Sequence, residues 1–172
     1  MNIASAHYST FVDLFDAKSR IAKALVESIF RRARYDIRPF RTEATALRIG
    51  REDLSPDFAV ARVADAGGDF LLDVKYRTSV EQFVAMEVQR GDRSTLAMAR
   101  RQWPALRFVL VTDRPEPHRS CFQALSPDQP LAGSPIHTVD LGEASELGIF
   151  PHNVADHEQL LRRIFGLLSE GR

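Results

Sequence analysis

Two aspartates and a lysine, spaced as P-D at 56–57 and D-x-K at 73–75, are the residues of this chain most able to do chemistry together. They lie in SPDFAVARVADAGGDFLLDVKYR, residues 55 to 77, a pattern of two strands joined by a tight turn. Alternate residues of a strand point to opposite faces. In FLLDVKY, Phe70, Leu72, Val74 and Tyr76 therefore share one face, and Leu71, Asp73 and Lys75 share the other. The first face is core, so Tyr76 is expected to be buried, and the second carries the acid and the amine. A three-residue loop at Asp65, Ala66 and Gly67 would set Asp57 opposite Lys75 and Ala59 opposite Asp73. Directly opposed side chains have Cβ atoms about 5 Å apart. A loop one residue shorter would send Asp57 to the other face. Gly67 and Gly68 supply the left-handed backbone that the longer loop needs.

Two carboxylates that converge repel each other, and a hard divalent cation offsets that repulsion. Mg²⁺ takes oxygen ligands and keeps several waters, acidifies a bound water and neutralises charge on a phosphoryl group. A neighbouring lysine could orient that water or stabilise developing negative charge. The competing structural reading is a salt bridge between Asp73 and Lys75 on an exposed sheet face.

The elements that must position these residues follow from periodicity. Residues 10 to 34 read as a helix, with Ile21, Leu25 and Ile29 recurring every four residues. Short strands are expected at Asp36–Phe40 and Ala44–Ile49, and the two clearest at Asp57–Val63 and Asp69–Tyr76. Residues 79 to 102 read as helical with a break near Gly91, stopped by Pro104. The apolar run Leu106–Thr112 has the pattern of a strand buried on both faces. Residues 113 to 134 hold four prolines and read as loop, with a short strand at Cys121–Leu125. A last strand at Ile136–Leu141 precedes an amphipathic helix over Asp156–Leu168, with Leu160, Leu161, Ile164, Phe165 and Leu168 inward. This order predicts one mixed α/β domain over residues 1–172, its sheet between helices.

Composition narrows the class. The chain is 44% hydrophobic and 27% charged, an ordinary globular balance. No run of about 18 apolar residues is present, so no membrane span is expected. The start, MNIASAHYSTF, lacks the basic-then-apolar pattern of a secretory leader. The one cysteine, Cys121, cannot form an internal disulfide, which fits a cytoplasmic protein. Lys plus Arg equals Asp plus Glu at 23 each, so any nucleic-acid surface must come from local clustering. Arg31, Arg32, Arg34, Arg38 and Arg41 crowd one region and Arg90, Arg93, Arg100 and Arg101 another. The GGDF at 67–70 is explained by the turn. There is no P-loop, no GxGxxG and no Cys/His set with zinc spacing, and the five histidines are scattered.

With Pro56-Asp57 on one strand and Asp73-Val74-Lys75 on the next, the chain resembles the PD-(D/E)xK nuclease superfamily, the restriction-endonuclease-like fold. The similarity covers about residues 15 to 112: a leading helix, a strand meander with the motif, then a helix and a further strand. It implies a three-layer α/β domain with a central mixed sheet flanked by helices. It implies Mg²⁺, with Mn²⁺ as substitute, held by Asp57, Asp73 and the backbone carbonyl of Val74, and Lys75 as the catalytic lysine beside the attacking water. A helix glutamate facing the site falls to Glu27, the one acid between Asp16 and Asp36; some relatives carry this acid a turn earlier, where this chain has Lys23 and Ala24. A phosphate contact just beyond the lysine falls to Arg77, ahead of Glu81, Gln82 and Gln89. The implied activity is hydrolysis of nucleic-acid phosphodiesters, with DNA favoured over RNA. The alternatives are an inactive nuclease-fold module for nucleic-acid binding or assembly, and a phosphohydrolase of small substrates. With no separate recognition domain, specificity would fall to a homodimer or a partner.

Overall fold

The computed structural model describes residues 3–40, 48–49, 52–63 and 68–170. Helix α1 (Ile3–Arg32) leads into β1 (Tyr35–Pro39), a small hairpin of β2 (Arg48–Ile49) and β3 (Glu52–Asp53), then β4 (Phe58–Arg62) and β5 (Phe70–Tyr76). Helices α2 (Val80–Arg90) and α3 (Thr95–Gln102), joined by a 3₁₀ turn, cross over to β6 (Leu106–Val111). Strands β7 (Phe122–Leu125) and β8 (Thr138–Asp140), two 3₁₀ turns and α4 (Pro151–Glu170) complete the chain. Six strands form one mixed sheet in the order β1-β4-β5-β6-β7-β8; only β5 and β6 run parallel. That pair needs a long crossover, which α2 and α3 supply.

The sheet has a core on each face. On one, Phe70, Leu72, Val74 and Tyr76 of β5 pack with Ala22, Val26, Ile29 and Phe30 of α1 and with Leu161 and Phe165 of α4. On the other, Phe108 and Leu110 pack with Val80 and Phe83 of α2 and Leu96 and Ala99 of α3. The result is helices, sheet, helices, as the element order implied. No helix among the described residues is long and apolar enough to cross a membrane.

Local chemistry explains most boundaries. Ser79 caps α2 by accepting from the Gln82 N–H at 3.2 Å, and Gly91 ends it with φ 52°. Ser94 caps α3 in the same way through Ala97. Pro151 opens α4, where its missing N–H costs nothing, so this helix begins five residues before the expected Asp156. The buried polar groups of α4 anchor it to α1: Asn153 Nδ2 donates to the Ile29 carbonyl at 3.0 Å, and the His157 ring lies 2.7 Å from the Asn153 carbonyl and 2.9 Å from Ser28 Oγ.

Two expectations need correction. Leu160 was placed inward but is 45% exposed, because α4 buries the stripe through Val154, His157, Leu161 and Phe165 and Leu160 sits about 100° round from Leu161. The β4–β5 register is also displaced. Phe58 pairs with Leu72, Ala59 with Leu71 and Val60 with Phe70, so Ala59 does not face Asp73, nor Asp57 Lys75. The shift is two residues and even, so the partition of β5 between its faces survives. The expected loop at 65–67 and most of the expected strand at 44–49 lie outside the described residues. The short strand expected at Cys121–Leu125 is present as Phe122–Leu125, paired between β6 and β8 in the main sheet.

Candidate active site at the end of strand β4

Pairing between β4 and β5 stops at Phe58 and Leu72, yet β5 runs on to Tyr76 beside β6. Pro56 has no N–H and cannot extend the ladder. Asp57 fills the gap. Its N–H donates to the Leu72 carbonyl at 2.9 Å, its carbonyl accepts from the Phe40 N–H at 2.9 Å, and its Oδ2 accepts from the Val74 N–H at 2.8 Å. A side-chain carboxylate thus takes the place of the missing strand backbone. Because one residue's N–H and C=O point to the same strand edge, the Val74 carbonyl is directed to the Asp57 side as well.

Asp73 and Lys75 lie next along β5. They are 3% and 7% exposed, and Lys75 Nζ stands 3.2 Å from Asp73 Oδ2. The exposed salt bridge considered from sequence is therefore replaced by a buried one. Asp73 Oδ2 meets the Lys75 ammonium without hydrogen-bond geometry, a weak replacement for the water it has lost. Burial pushes the Asp73 carboxyl up to about 7; Lys75 opposes this, while the charge of Asp57 and a carboxyl–carboxyl hydrogen bond with it add to it. Asp57 and Lys75 are thus the two charged groups that act on the Asp73 carboxyl.

Two further residues bear on the site. Lys23, from α1, places Nζ 2.6 Å from Asp57 Oδ1. From sequence it was named only as the residue one helical turn before Glu27, and no local pattern marks it as a partner of Asp57. Glu27 itself is engaged elsewhere. Its Oε1 accepts from Arg31 at 2.7 and 3.1 Å, and Arg31 also donates to the Ile37 carbonyl at 3.2 Å. Arg77 is half-buried, donates to the Tyr76 carbonyl at 2.8 Å and lies 4.4 Å over the Phe83 ring.

Among the described residues, four arginines of the two arginine-rich regions are ion-paired. Arg31 meets Glu27, Arg32 meets Asp156, Arg38 meets Asp36 and Arg90 meets the buried Glu87. Among the described residues no group of three or more His, Cys, Asp or Glu side chains is gathered to hold a metal. A cation at this site would rest on two carboxylates and a main-chain carbonyl. That all-oxygen donor set suits a hard divalent ion, and the buried Asp73 carboxyl beside a second carboxylate is where positive charge would be stabilised. Compared with protein-family models, curated proteins and solved structures, the chain has no significant match.

Proposed function

We propose that this chain is a divalent-metal-dependent nuclease of the restriction-endonuclease-like fold, acting on nucleic-acid phosphodiesters, with DNA as the favoured substrate. The observation that carries the reading is the buried Asp73, flanked by the Asp57 carboxylate and the Lys75 ammonium where β4 leaves β5. In this reading Asp57, Asp73 and the Val74 carbonyl hold Mg²⁺ or Mn²⁺. When bound, the cation supplies Lewis-acid neutralisation of the phosphoryl charge. Asp57 is held in place for this by the Val74 N–H, so its carboxylate is oriented before any ligand arrives. The Lys75 ammonium, kept from bulk water, donates hydrogen bonds to the attacking water and to the oxygen on which charge develops. That water's oxygen bonds to phosphorus as the bond to the leaving ester oxygen breaks; one water proton passes to solvent, and the leaving oxygen takes up a proton from solvent. Arg77 would need to leave Phe83 to reach a phosphate. A cytoplasmic location and a homodimer that supplies specificity complete the proposal.

The inactive binding or assembly module is favoured by a different observation. Both carboxylates already have an ammonium partner, Lys23 on Asp57 and Lys75 on Asp73, and Glu27 is tied to Arg31. The test is purified protein with Mg²⁺ or Mn²⁺ on single- and double-stranded DNA and RNA. The nuclease reading expects cleavage that Asp73→Ala abolishes with the fold intact. It also expects Lys75→Met to lose turnover while still binding Mn²⁺, because the lysine is not a ligand. Wild-type protein that binds no divalent ion and behaves like Asp73→Ala on every substrate would establish the module reading instead.

A further inference from the structure

We infer that Lys23 is a tethered counter-ion of Asp57 that a divalent cation has to displace, so that helix α1 sets the affinity of the site for its metal. This rests on the metal-dependent reading above and deepens it. The two oxygens of Asp57 are not equivalent. Oδ2 is committed to the Val74 N–H, and Oδ1 is the oxygen left to bind a cation. Lys23 Nζ sits on that Oδ1 at 2.6 Å. A divalent cation reaching Oδ1 meets the Lys23 ammonium within a few ångströms, and the repulsion between the two positive charges drives the ammonium off.

The two lysines of the site differ in their ability to leave. Lys75 is 7% exposed and enclosed between the sheet and its covering helices. The Lys23 side chain is 41% exposed, whereas the Asp57 side chain it meets is mostly covered. A lysine of this kind keeps its stem against the protein while its ammonium moves into water. Its backbone is fixed meanwhile, since the neighbouring Ala22 and Val26 are fully buried under α1. Displacement of Lys23 therefore leaves the fold unchanged and exchanges one positive charge at Asp57 for another. In the metal-free protein the same contact offsets the repulsion between Asp57 and Asp73.

Calorimetric titration with Mn²⁺ of wild type, Lys23→Gln, Lys23→Arg and Asp57→Asn tests this, with far-UV circular dichroism to show that each variant is folded. Removing the competitor should raise Mn²⁺ affinity about twofold to fivefold in Lys23→Gln, the size of a half-exposed ion pair. Lys23→Arg, which keeps the charge, should bind as wild type does. Lys23→Gln should also melt below wild type with chelator present, and recover at saturating Mn²⁺. If wild type binds Mn²⁺ and Asp57→Asn does not, but Lys23→Gln binds no tighter than wild type, the inference fails alone. If no protein in the set binds Mn²⁺, the inference and the metal-dependent reading fail together.

Discussion

In the metal-free protein, ionising Asp73 places a charge where water hardly reaches. Its carboxyl holds a proton up to about pH 7, against 3.8 for the free side chain. Below about pH 4 folded and unfolded chains are both protonated and the site costs nothing. As pH rises the unfolded chain gives up this proton first, so the folded state weakens until Asp73 ionises near 7, after which the penalty is constant. With chelator present, Asp73→Asn should therefore match wild type at about pH 4 and melt at or above it at pH 8. Thermal unfolding across that range checks this; a gap that does not change with pH would mean that Asp73 does not titrate between those values. The same proton competes with metal. Mn²⁺ affinity of the wild type should climb from pH 6 to pH 8 and flatten above, and a flat titration series over pH 6–8 would contradict the shift. Glu27→Ala should leave Mn²⁺ affinity within about twofold, because its carboxylate is spent on Arg31; a loss of binding would return Glu27 to the site.

At the scale of elements, the crossover between β5 and β6 depends on one buried acid. Glu87, fully buried in α2, accepts from Ser94 Oγ at 2.6 Å and from the Leu96 N–H at 3.2 Å, and pairs with Arg90 at 2.8 Å. It thus joins the end of one helix to the start of the next across Gly91. Glu87→Ala leaves two donors buried without partners and should cost about 1–3 kcal/mol of stability in chemical denaturation. A loss under about 0.5 kcal/mol, the range of ordinary surface changes, would show that the joint does not depend on it. Gly91 marked this joint in the sequence, but nothing marked its acid. A lone glutamate in an amphipathic helix reads as solvated, since nothing local marks which turn of α2 will meet α3.

For the molecule as a whole, the segment after β6 is part of the core. Phe122 and Ala124 of β7 and Val154, Leu161 and Phe165 of α4 pack in the same cluster as α1 and β5. Phe165 lies 5.4 Å from the Tyr76 ring, edge-on. From sequence this tail looked like an addition to a unit ending near residue 112. Phe165→Ala should cost about 3–5 kcal/mol, read from denaturant midpoints. A chain ending at residue 112 should give a circular dichroism spectrum of a largely unfolded polypeptide, because one face of β5 and β6 loses its cover. A cooperative melt of that fragment would show that the first unit is self-sufficient.

The sequence by itself determined which residues are apolar at which period, and hence the helices, the strands and the two faces of β5. It determined too that Asp73 and Lys75 share a face, because a strand's alternation is a local property. The tertiary structure decided what no local pattern encodes. The partner of Asp57 depends on where β4 stops pairing, and a displacement of two residues preserves every apolar position while changing every opposed pair. Burial of Asp73 depends on helices that come from elsewhere in the chain, and so does the contact of Lys23, which is 34 residues away from Asp57 in sequence. Alternation and periodicity act over a few residues; desolvation and ion pairing act over whatever the fold brings within a few ångströms.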